Sequence, residues 1–229
     1  MNRPQFQDWY DSFYREAGLR DAGPWYLGVA ELLEREGPQR LATSTVLEVA
    51  CGSGSFLASL TAHARVGIDL SQEACRQAQM RGATSVVGVG EHIPFPSSSF
   101  DVAICCEALE HVASPHQVLD EIHRVLKPDG VFAVSFPNYF NVPWLALRVM
   151  SDVFRKPNWI VRQPVDRFLT YSTVMRLLRS SRFERIAQVG WVLEPPGLYH
   201  WRLRRGRRPL RTQHLARLAF HPVILLHRS

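Results

Sequence analysis

The sequence predicts one α/β domain built on a doubly wound, mostly parallel sheet. Three observations carry that expectation. From about residue 45 onward, short apolar runs alternate with segments of helical periodicity, the mark of repeated strand–helix–strand units. The first run ends in a glycine-bearing bend, Gly52-Ser53-Gly54, and the second in a carboxylate, Asp69. In doubly wound sheets that pairing lets the backbone approach a ligand at a helix N-terminus while the acid accepts hydrogen bonds from ribose hydroxyls.

A chain of 229 residues suits one such domain. It buries roughly 70–75% of its unfolded surface, so a core forms without disulfides or structural metal. Cys51, Cys75, Cys105 and Cys106 show no C-x-x-C spacing, and reduced thiols in a cytoplasmic setting are expected. No basic start followed by an apolar run suggests a signal peptide. Apolar stretches fall short of the roughly 18 residues a spanning helix needs. The net charge of +6 is uneven: Pro195–Ser229 carries eight arginines and no acidic residue, which leaves −2 for the other 194 residues.

Gln5 to Gly18 should be a helix, because Phe6, Trp9, Tyr10, Phe13 and Tyr14 recur at helical spacing and Gly18 can stop it. A second helix is expected from Pro24 to Glu36, ended by Gly37-Pro38. Strands are expected at Thr45–Val49, Arg65–Ile68, Ser85–Gly88, Asp101–Cys106 and Gly130–Ser135, with helices at Ser55–His63, Gln72–Arg81 and Pro115–Leu126. Residues 137–169 hold four prolines and many aromatics, and read as an insertion over the carboxyl edge of the sheet. A helix at Ser172–Ser180, a strand at Glu184–Val192 and a short last strand at Val223–His227 follow. The organisation is thus a single domain: 1–40 N-terminal helices, 41–136 the ligand-binding core, 137–170 a substrate cap, and 171–229 the rest of the sheet with the basic segment.

Taken in order, Glu48-x-x-x-Gly52-x-Gly54, Gly67-Ile68-Asp69, Ile93-Pro94-Phe95 with Ser99-Phe100-Asp101, and Leu126-Lys127-Pro128-Asp129-Gly130-Val131 resemble the motifs of class I S-adenosylmethionine (SAM)-dependent methyltransferases. The resemblance spans roughly residues 44–137 and points to the branch of ubiquinone- and menaquinone-biosynthesis and natural-product enzymes. It implies a Rossmann-like, seven-stranded sheet with an antiparallel last strand, an N-terminal helical lid and an insertion after the fifth strand. It also implies that Glu48, Ala50, Gly52 and Gly54 contact the amino-acid part of SAM, that Asp69 holds the ribose, and that Leu70 lies beside the adenine. Gly90 and Glu91 would serve through backbone groups, Cys106 would stand near the donor, and Tyr14 and Tyr10 would contact it from the lid. Two positions depart from the pattern. Ala50 replaces a glycine, and Val89 stands where an aspartate often touches the adenine amine.

Beyond the fourth strand, the segment Glu107-Ala108-Leu109-Glu110-His111 would lie next to the methyl group. His111, with an ordinary pKa near about 6.5, is the candidate general base. If the segment is a helical turn, Glu107, Glu110 and His111 share a face and could hold a divalent metal. That E-x-x-E-H pattern is similar to the metal motif of ubiquinone-pathway O-methyltransferases and small-RNA 2′-O-methyltransferases. Equally, Glu110 and His111 could simply orient the loop. Tyr139, Phe140, Trp144, Trp159 and Phe168, with Arg162 and Arg167, are expected to shape an apolar acceptor pocket, which suits O-methylation of a hydrophobic or aromatic small-molecule acceptor. The arginine-rich tail from Tyr199 to Arg217, interleaved with residues such as Leu203, could meet a peripheral membrane surface, a phosphorylated or carboxylated acceptor, or RNA, or be a solvated face. Nucleic acid is not the expected partner, since neither an Asn/Asp-Pro-Pro-Tyr nor a Pro-Cys motif follows the fourth strand. A SAM-binding protein without transfer activity is the remaining alternative.

Overall fold

The computed structural model describes residues 3–19, 26–35, 38–154, 163–192, 198, 201–202, 205–206 and 210–228. Three helices lead: α1 (Arg3–Ala17), α2 (Tyr26–Arg35) and α3 (Pro38–Thr43). The third was not foreseen, because Gly37-Pro38 looks like a stop; a proline is equally at home in a first helical turn. Then come β1 (Thr45–Val49), α4 (Ser55–Ser59), β2 (Ala64–Asp69), α5 (Gln72–Met80), β3 (Thr84–Val87), β4 (Phe100–Cys106), α6 (Pro115–Val125) and β5 (Leu126–Ser135). The insertion contains a helix, α7 (Val142–Val153), and the chain continues with α8 (Tyr171–Ser180), β6 (Phe183–Trp191), β7 (Arg211–Thr212) and β8 (His221–Arg228).

Among the described residues these strands form one sheet in the order β3-β2-β1-β4-β5-β8-β6-β7. β1 to β5 are parallel, and β8 lies antiparallel between β5 and β6. The expected antiparallel last strand is therefore present. The expected count of seven is corrected to eight by β7, a two-residue strip paired with Gly190 and Trp191 of β6.

β4 shows how the sequence builds two cores. Val102, Ile104 and Cys106 face one side with Val46, Leu57 and Leu32, whereas Ala103 and Cys105 face the other with Leu47, Val118 and Ile122. A strand alternates its side chains, so one covered on both faces must be apolar throughout. All four cysteines are buried free thiols, and they serve as small core residues.

Several motif residues are framework. Asp101 accepts hydrogen bonds from the Thr45 backbone N–H (2.9 Å) and the Lys127 ammonium (2.8 Å), which ties β1, β4 and β5 together at their starts. Arg124, paired with Glu121, donates to the Ile93 and Phe95 carbonyls at 2.8 Å and pins the Ile93-Pro94-Phe95 loop to α6. Gly54 has φ +68°, and a Cβ there would stand 2.6 Å from Ala78 Cβ and 2.9 Å from Ala78 Cα. Gly54→Ala should therefore cost about 2–4 kcal/mol, from left-handed strain plus a clash between α4 and α5. An unchanged urea midpoint would contradict this packing.

The strand order reverses between β1 and β4. α4 leaves β1 toward one face of the sheet and α6 leaves β4 toward the other, which opens a crevice at the carboxyl ends of the strands.

Candidate active site

A cavity of about 510 Å³ fills that crevice. Its floor is Val49 and Ala50 after β1 and Ile68, Asp69 and Leu70 after β2. Gly88 to Glu91 form one wall and the segment from Glu107 to Ala113 another, while Phe6, Tyr10 and Tyr14 of α1 roof it. The roof is tied down at α5. Asp11 accepts hydrogen bonds from the Ser71 hydroxyl (2.5 Å) and the Glu73 N–H (3.0 Å), and the Gln77 amide donates to the Tyr14 carbonyl (2.9 Å).

Asp69 is the most constrained acid on the floor. Its Oδ2 accepts from Gly52 N–H at 2.8 Å and its Oδ1 from Ser71 N–H at 2.9 Å. Burial raises its pKa to about 6, and these backbone donors oppose the rise. Each oxygen keeps a second lone pair, so the carboxylate can still accept from a ligand's hydroxyls. The bend it grips is tightly wound: Ala50 has φ +57° and Gly52 φ +51°. A Cβ on Gly52 would lie 2.7 Å from the Tyr14 hydroxyl. Leu70, Val89 and Val112 supply an apolar slot with Gln117 beside them, which suits a flat heteroaromatic ring.

Across the cavity, His111 sits in a hydrogen-bonded chain. Its Nδ1 is 2.7 Å from the Val165 carbonyl, its Nε2 is 2.7 Å from the Gln163 amide nitrogen, and the Tyr10 hydroxyl donates to Gln163 Oε1 at 2.7 Å. A carbonyl can only accept, so Nδ1 carries the proton and Nε2 presents a lone pair. Burial lowers the imidazole's pKa, with the Val165 carbonyl opposing. The ring is thus neutral and its tautomer fixed.

The metal arrangement is corrected. Glu107 has φ +50° and does not begin a helical turn. Its carboxylate turns to the Ser135 hydroxyl and to His221 Nδ1, both at 2.8 Å. Glu110 is buried, with Oε1 3.5 Å from His111 Nε2, and burial together with Glu107 raises its pKa well above the carboxylate range. Both influences work against the ionised form that a metal ligand needs. Among the described residues no three His, Cys, Asp or Glu side chains could share a metal ion, and this donor set does not fit one.

Of the other residues singled out, Ala50, Leu70, Gly90, Glu91 and Tyr14 line the cavity. Glu91 also accepts from the N–H groups of Ala113 and Ser114, at 2.7 and 3.1 Å, and so holds the loop after His111. Glu48 and Cys106 do not line the described cavity; they face the core beneath the bend. Burial raises the Glu48 pKa to about 8, with the Tyr26 hydroxyl opposing. Gly54 abuts α5, as described above. The expected acceptor pocket is largely redistributed. Tyr139 and Trp144 are core, the latter stacked on Phe220 at 4.4 Å, and Phe140 and Phe168 are exposed. Arg167 donates to the Val112 and Ala113 carbonyls. Trp159, Arg162, Tyr199 and Leu203 lie outside the described residues. Gln163 and Val165 were missed, because nothing periodic marks them within the insertion.

A methyltransferase-domain family matches residues 47–134. An uncharacterised methyltransferase of Synechocystis is 30% identical over 165 residues, 67% of this chain and 69% of its own length. A ubiquinone biosynthesis O-methyltransferase of Cupriavidus pinatubonensis is 28% identical over 82% of this chain and 77% of its own. Matches to such relatives span from 48% to 80% of the relatives' lengths. A SAM-dependent methyltransferase structure from Thermotoga maritima superposes with a TM-score of 0.70 at 19% identity, covering 98% of this chain and 97% of that one. With the glycine bend, the gripped Asp69 and this sheet order on one framework, the chain belongs to the SAM-dependent methyltransferases of class I.

Proposed function

We propose that the protein methylates a hydroxyl of a hydrophobic or aromatic small molecule, with His111 taking the acceptor's proton. The observation that carries the reading is the fixed tautomer: Nδ1–H is committed to the Val165 carbonyl, and the basic Nε2 faces the cavity. The Gln163 amide donates to that nitrogen. An acceptor hydroxyl makes the same kind of bond when it displaces the amide, and its oxygen is then activated where it meets the donor.

SAM supplies an electrophilic methyl group on a sulfonium. Asp69 anchors the ribose; Leu70, Val89 and Val112 enclose the adenine; and Gln117 takes the polar contact that Val89 cannot make. The bend at Ala50 to Gly54 holds the amino-acid end, with Glu48 and Cys106 behind it. Tyr10 and Tyr14 exclude water from the reacting atoms. The ubiquinone-pathway relatives support oxygen as the methylated atom.

The test is incubation of the purified protein with labelled SAM and a panel of catechols, phenols, amines and small RNAs, followed by mass spectrometry. Label on a phenolic oxygen is expected. Label on an amine or RNA with none on phenols would overturn the oxygen reading, and no transfer to any acceptor despite SAM binding would favour a binding role.

A further inference from the structure

The outer side of α7 carries an apolar stripe on which nothing packs among the described residues. Val142, Ala146, Val149 and Val153 follow one another at spacings of four, three and four, and Met150 and Phe154 widen the row. Val142 is 70% exposed, Val153 68% and Phe154 60%. The inner side of the helix is fully used: Trp144 and Leu147 join the core, and Arg148 pairs with Asp166 at 2.6 Å. A helix buried on one side with a row of exposed apolar residues along its solvent side departs from the polar outer face of a globular protein.

Positive charge is held beside this stripe. The amide of Asn138 donates to the Arg217 carbonyl (2.8 Å), and that of Asn141 donates to the Leu218 carbonyl (3.0 Å). The start of α7 and the Ala216–Leu218 turn are therefore one hydrogen-bonded unit. That unit exposes Arg217, Leu215 and Leu218, and it closes the Tyr199–Arg217 stretch, which holds seven arginines and no acid. In sequence, Arg155 and Lys156 follow the stripe directly, and Asp152 is the helix's own acidic residue.

We propose that this face docks on an anionic lipid bilayer, with the α7 stripe seated among the acyl chains and the flanking arginines on the headgroups. An exposed apolar helix bordered by arginine is the pattern of an interfacial helix, and the basic tail selects a negative surface over a neutral one. The chemistry of the seat is independent of which acceptor is methylated. Its consequence for that acceptor is positional: Arg148 holds Asp166, next to Val165, which contacts His111. Docking brings the cap to the depth where a lipophilic acceptor dissolves.

The test is co-sedimentation of the full chain with vesicles of phosphatidylcholine, alone or mixed with phosphatidylglycerol. Binding is expected only to the mixed vesicles, weakening as salt rises. Val149→Asp with Val153→Asp should reduce it about tenfold or more, while heat released on S-adenosylhomocysteine binding stays unchanged and shows the variant folded. If that double variant disturbs folding, Val142→Ser with Phe154→Ser is the milder replacement, with a smaller reduction of the same sign. Absence of vesicle binding by the wild-type chain overturns the proposal, as does binding that ignores these substitutions. A wild-type dimer in light scattering that the double variant splits, without vesicle binding, assigns the face to a second copy. Retention of RNA with no retention of lipid assigns the arginines to nucleic acid.

Discussion

Asp69→Ala should raise the dissociation constants for SAM and S-adenosylhomocysteine by about a hundredfold or more. With Asp69 as the proposed ribose anchor, two charge-assisted bonds would be lost, each worth about 1.5–3 kcal/mol. In addition, Gly52 and Ser71 lose the acceptor that fixes the bend. The wild-type site carries a matching pH signature. Because burial lifts this carboxyl to about 6 and only the ionised form accepts from both hydroxyls, affinity should be level above that pH. Below it, the dissociation constant should rise about tenfold per unit. Titration calorimetry across pH 5–8 reads both effects. A variant that binds within about threefold of wild type removes Asp69 from the ribose site.

His111→Ala should lower kcat by about 10²–10⁴ while leaving affinity for the donor nearly unchanged, as expected of a base that touches only the acceptor. Burial works against the imidazolium, so the sign of the pH dependence follows. The neutral base persists below the ordinary histidine range, and the acid limb of kcat/KM should fall at a pH under about 6.5. If the variant keeps full turnover, or the limb stays above that value, His111 is a loop-orienting residue and the base must be sought elsewhere on the cavity wall.

The parallel half of the fold was legible because its central strands β1 and β4 are buried nearly throughout and its elements are bounded by residues with one local meaning: Ser71 caps α5 by accepting from the Ala74 N–H at 3.0 Å, and Gly54 turns left-handed. β1 matches its expected limits residue for residue. α7 was hidden because Pro143 and the surrounding aromatics look irregular, although a proline in the first turn is harmless. β7, two residues long, has no period to read.

The site divides along the same line. Asp69 and the bend are local features of one strand–turn–helix and could be found in the sequence. The partners of His111 come from residues 163–165, over fifty positions away, and no short-range rule pairs them. Spacing also misled at Glu107. The helical turn it presupposed would have aimed three ligands at one point, but the left-handed residue at its start sends the carboxylate to β5 and β8 instead.

The chain of contacts from Tyr10 through Gln163 to His111 gives the resting protein a self-occupied base. If α1 roofs the donor as proposed, the helix that covers it also steadies the amide on the imidazole, so an acceptor that displaces the amide would loosen the hold on Tyr10 as well. With His111 as the base, the same displacement would leave the ring's acquired proton beside the loosened roof, and product release and return of that proton to water would share one opening.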